Sequence, residues 1–159
     1  MRAALILLLL TSTCTRDVQP KPEAAAKSEA PAKPESGGAV ELRTLGSGSY
    51  AAAKPDAPQT AAAHDRKTYE NLWATMIGGG EMPAVDFGKE AVVFLLAGSR
   101  PTGGYSIEAR GATMDGETLV VDAAVKGPPR DSMVTQAFTS PYAVVAVSAK
   151  TFKDVRWKP

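Results

Sequence analysis

The side chains best suited to catalysis or metal binding are scarce in this chain. His64 is the only histidine and Cys14 the only cysteine among the 159 residues. A serine or cysteine nucleophile activated by histidine would have to use His64, which lies in an alanine-rich stretch and is expected to be exposed to solvent. A zinc site needs three or four His, Cys or carboxylate ligands, which one histidine and one cysteine do not supply. The sequence therefore predicts no catalytic residues and no metal site.

Two further groups have the composition of ligand sites but not the required spacing. Asp115, Glu117 and Asp122 surround a predicted hairpin. They lack the ligand positions of a calcium loop, so we expect them to form a solvated rim. Gly103-Gly104 is not followed by the Gly-Lys-Ser/Thr ending, or by the helix, of a phosphate-binding loop. We therefore expect no cofactor and no enzymatic activity.

The N-terminus has the features of an export signal. Arg2 precedes a short apolar run at 3–10, which is too short to cross a bilayer, since a spanning helix needs about 20 residues. The run fits the apolar region of a secretory signal. The sequence from Leu10 to Cys14 resembles a bacterial lipoprotein cleavage site, although Thr11 and Thr13 depart from its usual pattern. We expect 1–13 to be a lipoprotein-type signal peptide and Cys14 to be lipidated; the alternative is an ordinary signal peptide that leaves a free thiol.

The next segment predicts a tether in front of one folded domain. Residues 14–38 are rich in Pro, Ala, Lys and Glu and contain almost no large apolar side chain, so they cannot offset the entropy of ordering. Residues 39–159 then form a single β-rich domain. Lipidation would place the protein in the bacterial cell envelope, anchored to a membrane (the periplasmic face of the outer membrane); otherwise it is exported. The 18 basic and 17 acidic residues give a net charge of +1, which provides no reason to expect nucleic acid as a partner.

The elements of the domain follow from the periodicity of its apolar residues. Apolar residues recur at helical spacing between 66 and 77; they are Tyr69, Leu72, Trp73, Met76 and Ile77. Asp65 can cap this helix, and the three glycines at 78–80 can end it. Residues 91–97 are continuously apolar, which is typical of a central strand covered on both faces.

Alternation predicts most of the other strands. It covers 105–110 and 119–125, with a hairpin turn at Asp115-Gly116, while 142–149 is a second apolar run. Shorter strands are predicted at 40–44 and 152–157, a turn at 46–49, and a loop at 51–63 that can end in a short strand. Short connections favour antiparallel neighbours. The predicted fold class is therefore α+β, with a mainly antiparallel sheet or a small β-sandwich and one packed helix.

The loop at 98–105 is the leading candidate for a contact surface. Pro101 fixes its own φ and pushes Arg100 towards an extended conformation, while Gly103-Gly104 permits positive φ. The segment 136–142 has a similar composition, and the two loops would share one end of the sheet if the strands after them were neighbours with the same orientation. The candidate partner-binding residues are Arg100, Pro101, Thr102, Gly103, Gly104, Tyr105, Gln136, Ser140, Pro141 and Tyr142. The alternative is structural: the two tyrosines pack into the core and Gln136 hydrogen-bonds the backbone of the neighbouring loop.

The C-terminal part resembles the PrcB family, bacterial lipoproteins associated with a surface protease complex. The blocks that carry the resemblance lie between Met82 and Ala149; they are Val85-Asp86-Phe87, Arg100 to Ile107, Leu119-Val120-Val121, Val134 to Ala137 and Thr139 to Tyr142. The resemblance implies a component that stabilises a secreted serine protease, and it brings no catalytic residues.

The segment Pro101 to Tyr105 also resembles a loop of chagasin-type inhibitors of cysteine proteases, which are immunoglobulin-like sandwiches. Arg100 stands where that loop has Asn, Gly103 replaces a Thr, and the Arg-Pro-Trp motif of a later loop is absent. The leading hypothesis is a membrane-tethered, non-enzymatic module that binds a protein partner, with a protease as the class that the PrcB resemblance implies. A chagasin-like protease inhibitor and a structural envelope lipoprotein are the two alternatives.

Overall fold

The computed structural model describes residues 38–158 of the chain. The predicted signal peptide, Cys14 and the tether up to residue 37 lie outside this range. The described elements, in chain order, are β1 (Gly38–Val40), β2 (Leu42–Gly48), β3 (Gln59–Ala63), α1 (Arg66–Leu72) with a π-helical turn (Trp73–Ile77), β4 (Ala91–Leu96), β5 (Ser106–Asp115), β6 (Thr118–Lys126), β7 (Tyr142–Val147) and β8 (Asp154–Lys158). Within this range, no helix has the length and apolarity needed to cross a membrane.

The strands form two four-stranded sheets. The first sheet has the order β1-β5-β6-β8 and the second the order β2-β7-β4-β3. All neighbours are antiparallel except β6 and β8, which are parallel. Buried residues of β4 and β7 pack against buried residues of β5 and β6, so the two sheets face each other. The predicted α+β class with mainly antiparallel strands is confirmed, and of the two architectures considered the sandwich is the one that forms.

A second core lies on the other face of the second sheet. There Val92, Phe94 and Leu96 of β4 pack with Tyr69 and Trp73 of the helix. The alternate residues of β4 point into the core between the sheets. Every residue of β4 is buried, because a sheet covers one face and a helix the other. The uninterrupted apolar run at 91–97 is thereby explained.

The helix begins and ends where the sequence predicts. The Asp65 carboxylate accepts a hydrogen bond from the Thr68 N–H at 2.9 Å, and Gly78 adopts a φ of 91° at the other end. The N–H and hydroxyl of Thr68 hold the pKa of Asp65 below its usual value. The last turn is π-helical, with the Gly78 N–H donating to the Trp73 carbonyl at 3.2 Å, a detail that the apolar spacing does not reveal.

The predicted turn at 46–49 is wrong, since β2 continues through Gly48. Gly48 pairs with Tyr142 of β7, and the register shifts between Thr44 and Gly46. A Cβ on Gly48 would lie 2.7 Å from the Tyr142 ring, so this glycine allows a close approach between strands. By contrast, the predicted hairpin between β5 and β6 is confirmed, with Gly116 at a φ of 60° in its turn.

Candidate protein-binding surface

The two candidate segments lie side by side at one end of the second sheet. We name residues 98–105 the Arg100 loop and residues 133–141 the Thr139 segment. Arg100 N–H donates to the Thr139 carbonyl at 2.8 Å, and Thr139 N–H donates back to the Arg100 carbonyl at 2.9 Å. Gly103 N–H donates to the Thr135 carbonyl at 2.9 Å. The two segments therefore run antiparallel and are joined through their backbones.

The reason for this proximity differs from the one expected from the sequence. The strands that follow the two segments, β5 and β7, belong to different sheets. However, the Arg100 loop also follows β4, and β4 is the antiparallel neighbour of β7. The chain leaving β4 and the chain entering β7 consequently meet at the same end of the sheet.

A third strip of backbone completes this end. Ser140 N–H donates to the Ser49 carbonyl and Ala51 N–H donates to the Ser140 carbonyl, both at 2.9 Å. The Ser140 hydroxyl donates to the Ala53 carbonyl at 3.0 Å. Ser140 and Pro141 are almost fully buried, so these two predicted residues support the surface from below.

Arg100 is held close to the fold. Its Nη2 donates to the Ala97 carbonyl at 2.9 Å, and its guanidinium carbon lies 5.7 Å from the centre of the Tyr105 ring, within the range of a cation–π contact. Its Nε is buried and has no hydrogen-bond partner within residues 38–158. Arg100 is half-buried, so only part of this candidate partner-binding side chain faces solvent.

The paired glycines have different tasks. Gly104 has a φ of 82°, and a Cβ there would lie 2.8 Å from Pro128. Gly103 is buried and keeps a negative φ, and its Cβ would make only an ordinary contact with Thr135 at 3.4 Å. Tyr105 is half-buried, with its ring beside Gly127. Only the second glycine therefore adopts the positive φ that the sequence permits at both.

The remaining candidates divide between the surface and its support. Pro101 and Gln136 are exposed and Thr102 is half-buried, while the half-buried Tyr142 covers Gly48. No side-chain hydrogen bond of Gln136 occurs among the described residues. A side-chain hydrogen bond between the two segments was considered for Gln136. Thr139 makes it instead: its buried hydroxyl donates to the Thr102 carbonyl at 2.8 Å.

Three residues that the sequence analysis missed change the character of this end. Tyr50, Met133 and Phe138 are 61%, 103% and 76% exposed, and they are the exposed large apolar residues of the described chain. Met133 and Phe138 lie on the Thr139 segment, and Tyr50 is bridged to Ser140. The sequence feature that could have indicated them is a large apolar residue in a loop that has neither strand nor helix periodicity. We name the outward residues of this end the end surface: Tyr50, Pro101, Thr102, Gly104, Met133, Gln136 and Phe138.

The potential catalytic side chains lie elsewhere. His64 follows the end of β3 that pairs with the start of β4, whereas the Arg100 loop follows the other end of β4. The His64 ring packs on Phe152, with centroids 4.4 Å apart, and its Nδ1 lies 3.3 Å from the Lys150 carbonyl oxygen. Among residues 38–158, no group of three or more His, Cys, Asp or Glu side chains is arranged to hold a metal ion.

The acidic residues around the hairpin are solvated and mostly paired. Glu117 lies 2.6 Å from Lys153 and Asp122 lies 3.7 Å from Arg110, with all four side chains about half exposed or more. Nearby, Lys126 pairs with Glu108 and holds the pKa of that carboxyl below its usual value. These contacts are surface ion pairs of the kind that contribute little to stability.

Comparison with known families gives a match within this domain. Residues 91–148 match the PrcB C-terminal family, a span that runs from β4 to just past β7 and contains both the Arg100 loop and the Thr139 segment. The searches of curated proteins and of solved structures gave no significant match. The matched span contains the blocks on which the resemblance was based, except Val85-Asp86-Phe87, which lies before it. The family match therefore supports the resemblance to the PrcB family over residues 91–148.

Proposed function

We propose that this domain is a non-enzymatic module that binds a protein partner through the end surface. The observation that carries the proposal is Phe138, a large aromatic side chain that is 76% exposed on a segment whose backbone is hydrogen-bonded on both sides. Aromatic residues and Met are enriched at protein interfaces, and a fixed backbone reduces the ordering cost of binding. Exposed apolar residues gathered at one end of a domain are typical of an interaction site.

The expected partner is a secreted or envelope protease that the module stabilises or assists. The family resemblance supports this choice, because PrcB-type lipoproteins are associated with a surface protease complex. Acylation of Cys14 would fix the domain to the bacterial envelope, and the tether would give it reach from the membrane. The membrane contact is then made by the lipid and the protein contact by the end surface.

Site-specific photo-crosslinking tests the location of the binding surface. A photo-reactive phenylalanine analogue replaces Phe138 in cells that produce the protein, and the control carries it at Glu70, an exposed position on α1. Mass spectrometry should identify one recurrent adduct, containing a protease, from position 138 and not from position 70. The same adducts from both positions, or none from position 138, would contradict the proposal.

Two further measurements separate the alternatives. Addition of the purified protein to the protease identified by crosslinking should prolong the activity of that protease without inhibiting it. Inhibition of papain-like proteases would instead favour the chagasin-like function, and absence of any partner would favour a structural lipoprotein. Labelling with radioactive palmitate tests the anchor, since the label should be present on the native protein and absent from Cys14→Ser.

A further inference from the structure

A groove on one side of the sandwich has no residue in common with the end surface, although Arg100 borders it. It lies between two edge strands, β3 of the second sheet and β8 of the first. Its volume is about 470 Å³, within the range of roughly 300–1,000 Å³ that is common for ligand sites. Pro58, Val125, Val155 and Trp157 give it an apolar lining, and Thr60 and Arg100 add polar groups.

The charge of this groove is unbalanced. None of the described residues that line it is acidic, and Arg100 forms no ion pair with any residue of the range 38–158. The Arg100 guanidinium uses one hydrogen bond, to the Ala97 carbonyl, although it carries five N–H donors. Arg156 also borders the groove, but the alternation of β8 places its side chain on the outer face, opposite Val155 and Trp157. An occupant that complements the groove therefore carries an anionic group for Arg100.

The edge of β8 adds a requirement on the backbone of the occupant. The Val155 carbonyl is oriented towards β3, because it accepts a hydrogen bond from the Thr60 hydroxyl at 3.5 Å. Backbone groups of alternate residues in a strand point to the same side, so the N–H and carbonyl of Trp157 also point away from β6. They lie where an added strand would pair with them, as in peptide recognition by strand addition.

We propose that the groove binds an extended peptide segment in which an acidic side chain and an apolar side chain, two residues apart, face the same way. The apolar side chain packs on Val125, Val155 and Trp157, the carboxylate accepts hydrogen bonds from Arg100, and the peptide backbone pairs with Trp157. Side chains two residues apart share one face of a strand, so one short segment meets all three conditions. This site does not depend on the end surface binding anything.

The test uses the purified full chain and short synthetic peptides with blocked ends. The probe alternates Thr and Val and has one central Glu on the Val face; its matched control has Gln in place of that Glu. Fluorescence anisotropy should show binding of the Glu peptide at least about tenfold tighter than the Gln peptide, a difference expected for a charge-assisted hydrogen bond. In NMR spectra the Trp157 backbone amide should shift and become protected from exchange.

Protein variants then assign the charge contact. Arg100→Gln should remove the preference for the Glu peptide, while Arg66→Gln, which changes an exposed arginine of α1, should keep it. Phe138→Ser should also keep it, so failure of this proposal is distinct from failure of the end surface. Equal binding of the two peptides to the native protein would overturn the proposal without relying on any variant. Tight binding of a Gln peptide with a free C-terminus would also overturn the proposal. Arg100 would then bind the carboxylate of a chain end and not that of an acidic side chain.

Discussion

The helix-covered face of the second sheet and the end surface both involve β4 and β7. They differ in the exposure of their aromatic side chains. On the covered face, Tyr69, Trp73 and Phe94 pack with ring centroids 5.7–6.4 Å apart, and burial raises the pKa of Tyr69. At the end surface, Tyr50 and Phe138 are mostly exposed.

The two regions also differ in what holds them together. Side-chain packing joins the helix to β4 and β7, whereas the end surface is held mainly by backbone hydrogen bonds between its strips. A backbone network fixes the shape of a surface without consuming its side chains. The helix-covered face therefore contributes side-chain packing to stability, while the end surface leaves Tyr50 and Phe138 exposed.

The largest expected loss of stability comes from the covered face. Phe94 is fully buried between the helix and the sheet, so Phe94→Ala should lower the free energy of unfolding by about 3–5 kcal/mol through lost burial and a cavity. Urea unfolding followed by circular dichroism measures this change. A loss below about 1 kcal/mol would mean that the helix contributes little to the core.

The next effect separates the two neighbouring glycines of the Arg100 loop. Gly104→Ala places a Cβ at a φ of 82° and against Pro128, which should cost about 1–3 kcal/mol. Gly103→Ala is the matched control, because its φ is negative and its contact with Thr135 is ordinary; it should be neutral or stabilising by up to about 1 kcal/mol. Equal losses in both variants would contradict the described loop conformation.

These glycines show how far the sequence can be read. Local chemistry identifies the Asp65 cap, the hairpin at Gly116 and the loop at 98–105, because each depends on residues close together in the chain. It does not reveal that Gly104 adopts positive φ while Gly103 does not, since that choice depends on Pro128 and Thr135, more than 20 residues away. The glycines at 46 and 48 were misread for the same reason: Gly48 makes room for Tyr142 from another strand.

The candidate site was predictable to the same partial extent. The sequence selected the two segments by composition, and the structure brings them together through the pairing of β4 with β7. The composition of these segments also predicted Arg100 and Ser140 as contact residues. In the folded chain Arg100 is half-buried and Ser140 is buried. Phe138 was missed because exposure of an isolated apolar loop residue depends on what the fold places above it.

A smaller effect tests the side-chain bond between the two segments. Thr139→Val keeps the shape of a buried side chain but removes its hydrogen bond to the Thr102 carbonyl, which should cost about 1 kcal/mol. The control is Thr75→Val on the exposed face of the helix, where the hydroxyl donates to the Asn71 carbonyl beside solvent. Chemical denaturation of both variants should show the larger loss for Thr139→Val.

The pH dependence of the helix cap is expected to be weaker still. Hydrogen bonds from Thr68 lower the pKa of Asp65 in the folded protein. The stabilisation is therefore fully present above the unfolded pKa, which is about 3.9 for Asp, and is lost as the pH falls through the folded pKa. Asp65→Asn keeps a capping side chain but cannot titrate, so the stability difference between native and variant should shrink below about pH 4. A difference that stays constant with pH would contradict a titrating cap.

The smallest effect on stability should accompany the largest effect on binding. Phe138 is mostly exposed and its side chain supports no described core cluster, so Phe138→Ser should change the free energy of unfolding by less than about 0.5 kcal/mol. The same variant should lose the partner identified by crosslinking, because interface energy is concentrated in a few aromatic or arginine side chains. Co-purification should be compared with that of Phe94→Ala at a temperature where Phe94→Ala remains folded. Phe94→Ala should retain the partner although it loses more stability, and Phe138→Ser should lose the partner although it remains stable. A strong loss of stability in Phe138→Ser would mean that the Phe138 ring stabilises the fold. The proposed distinction between the helix-covered face and the end surface would then be wrong.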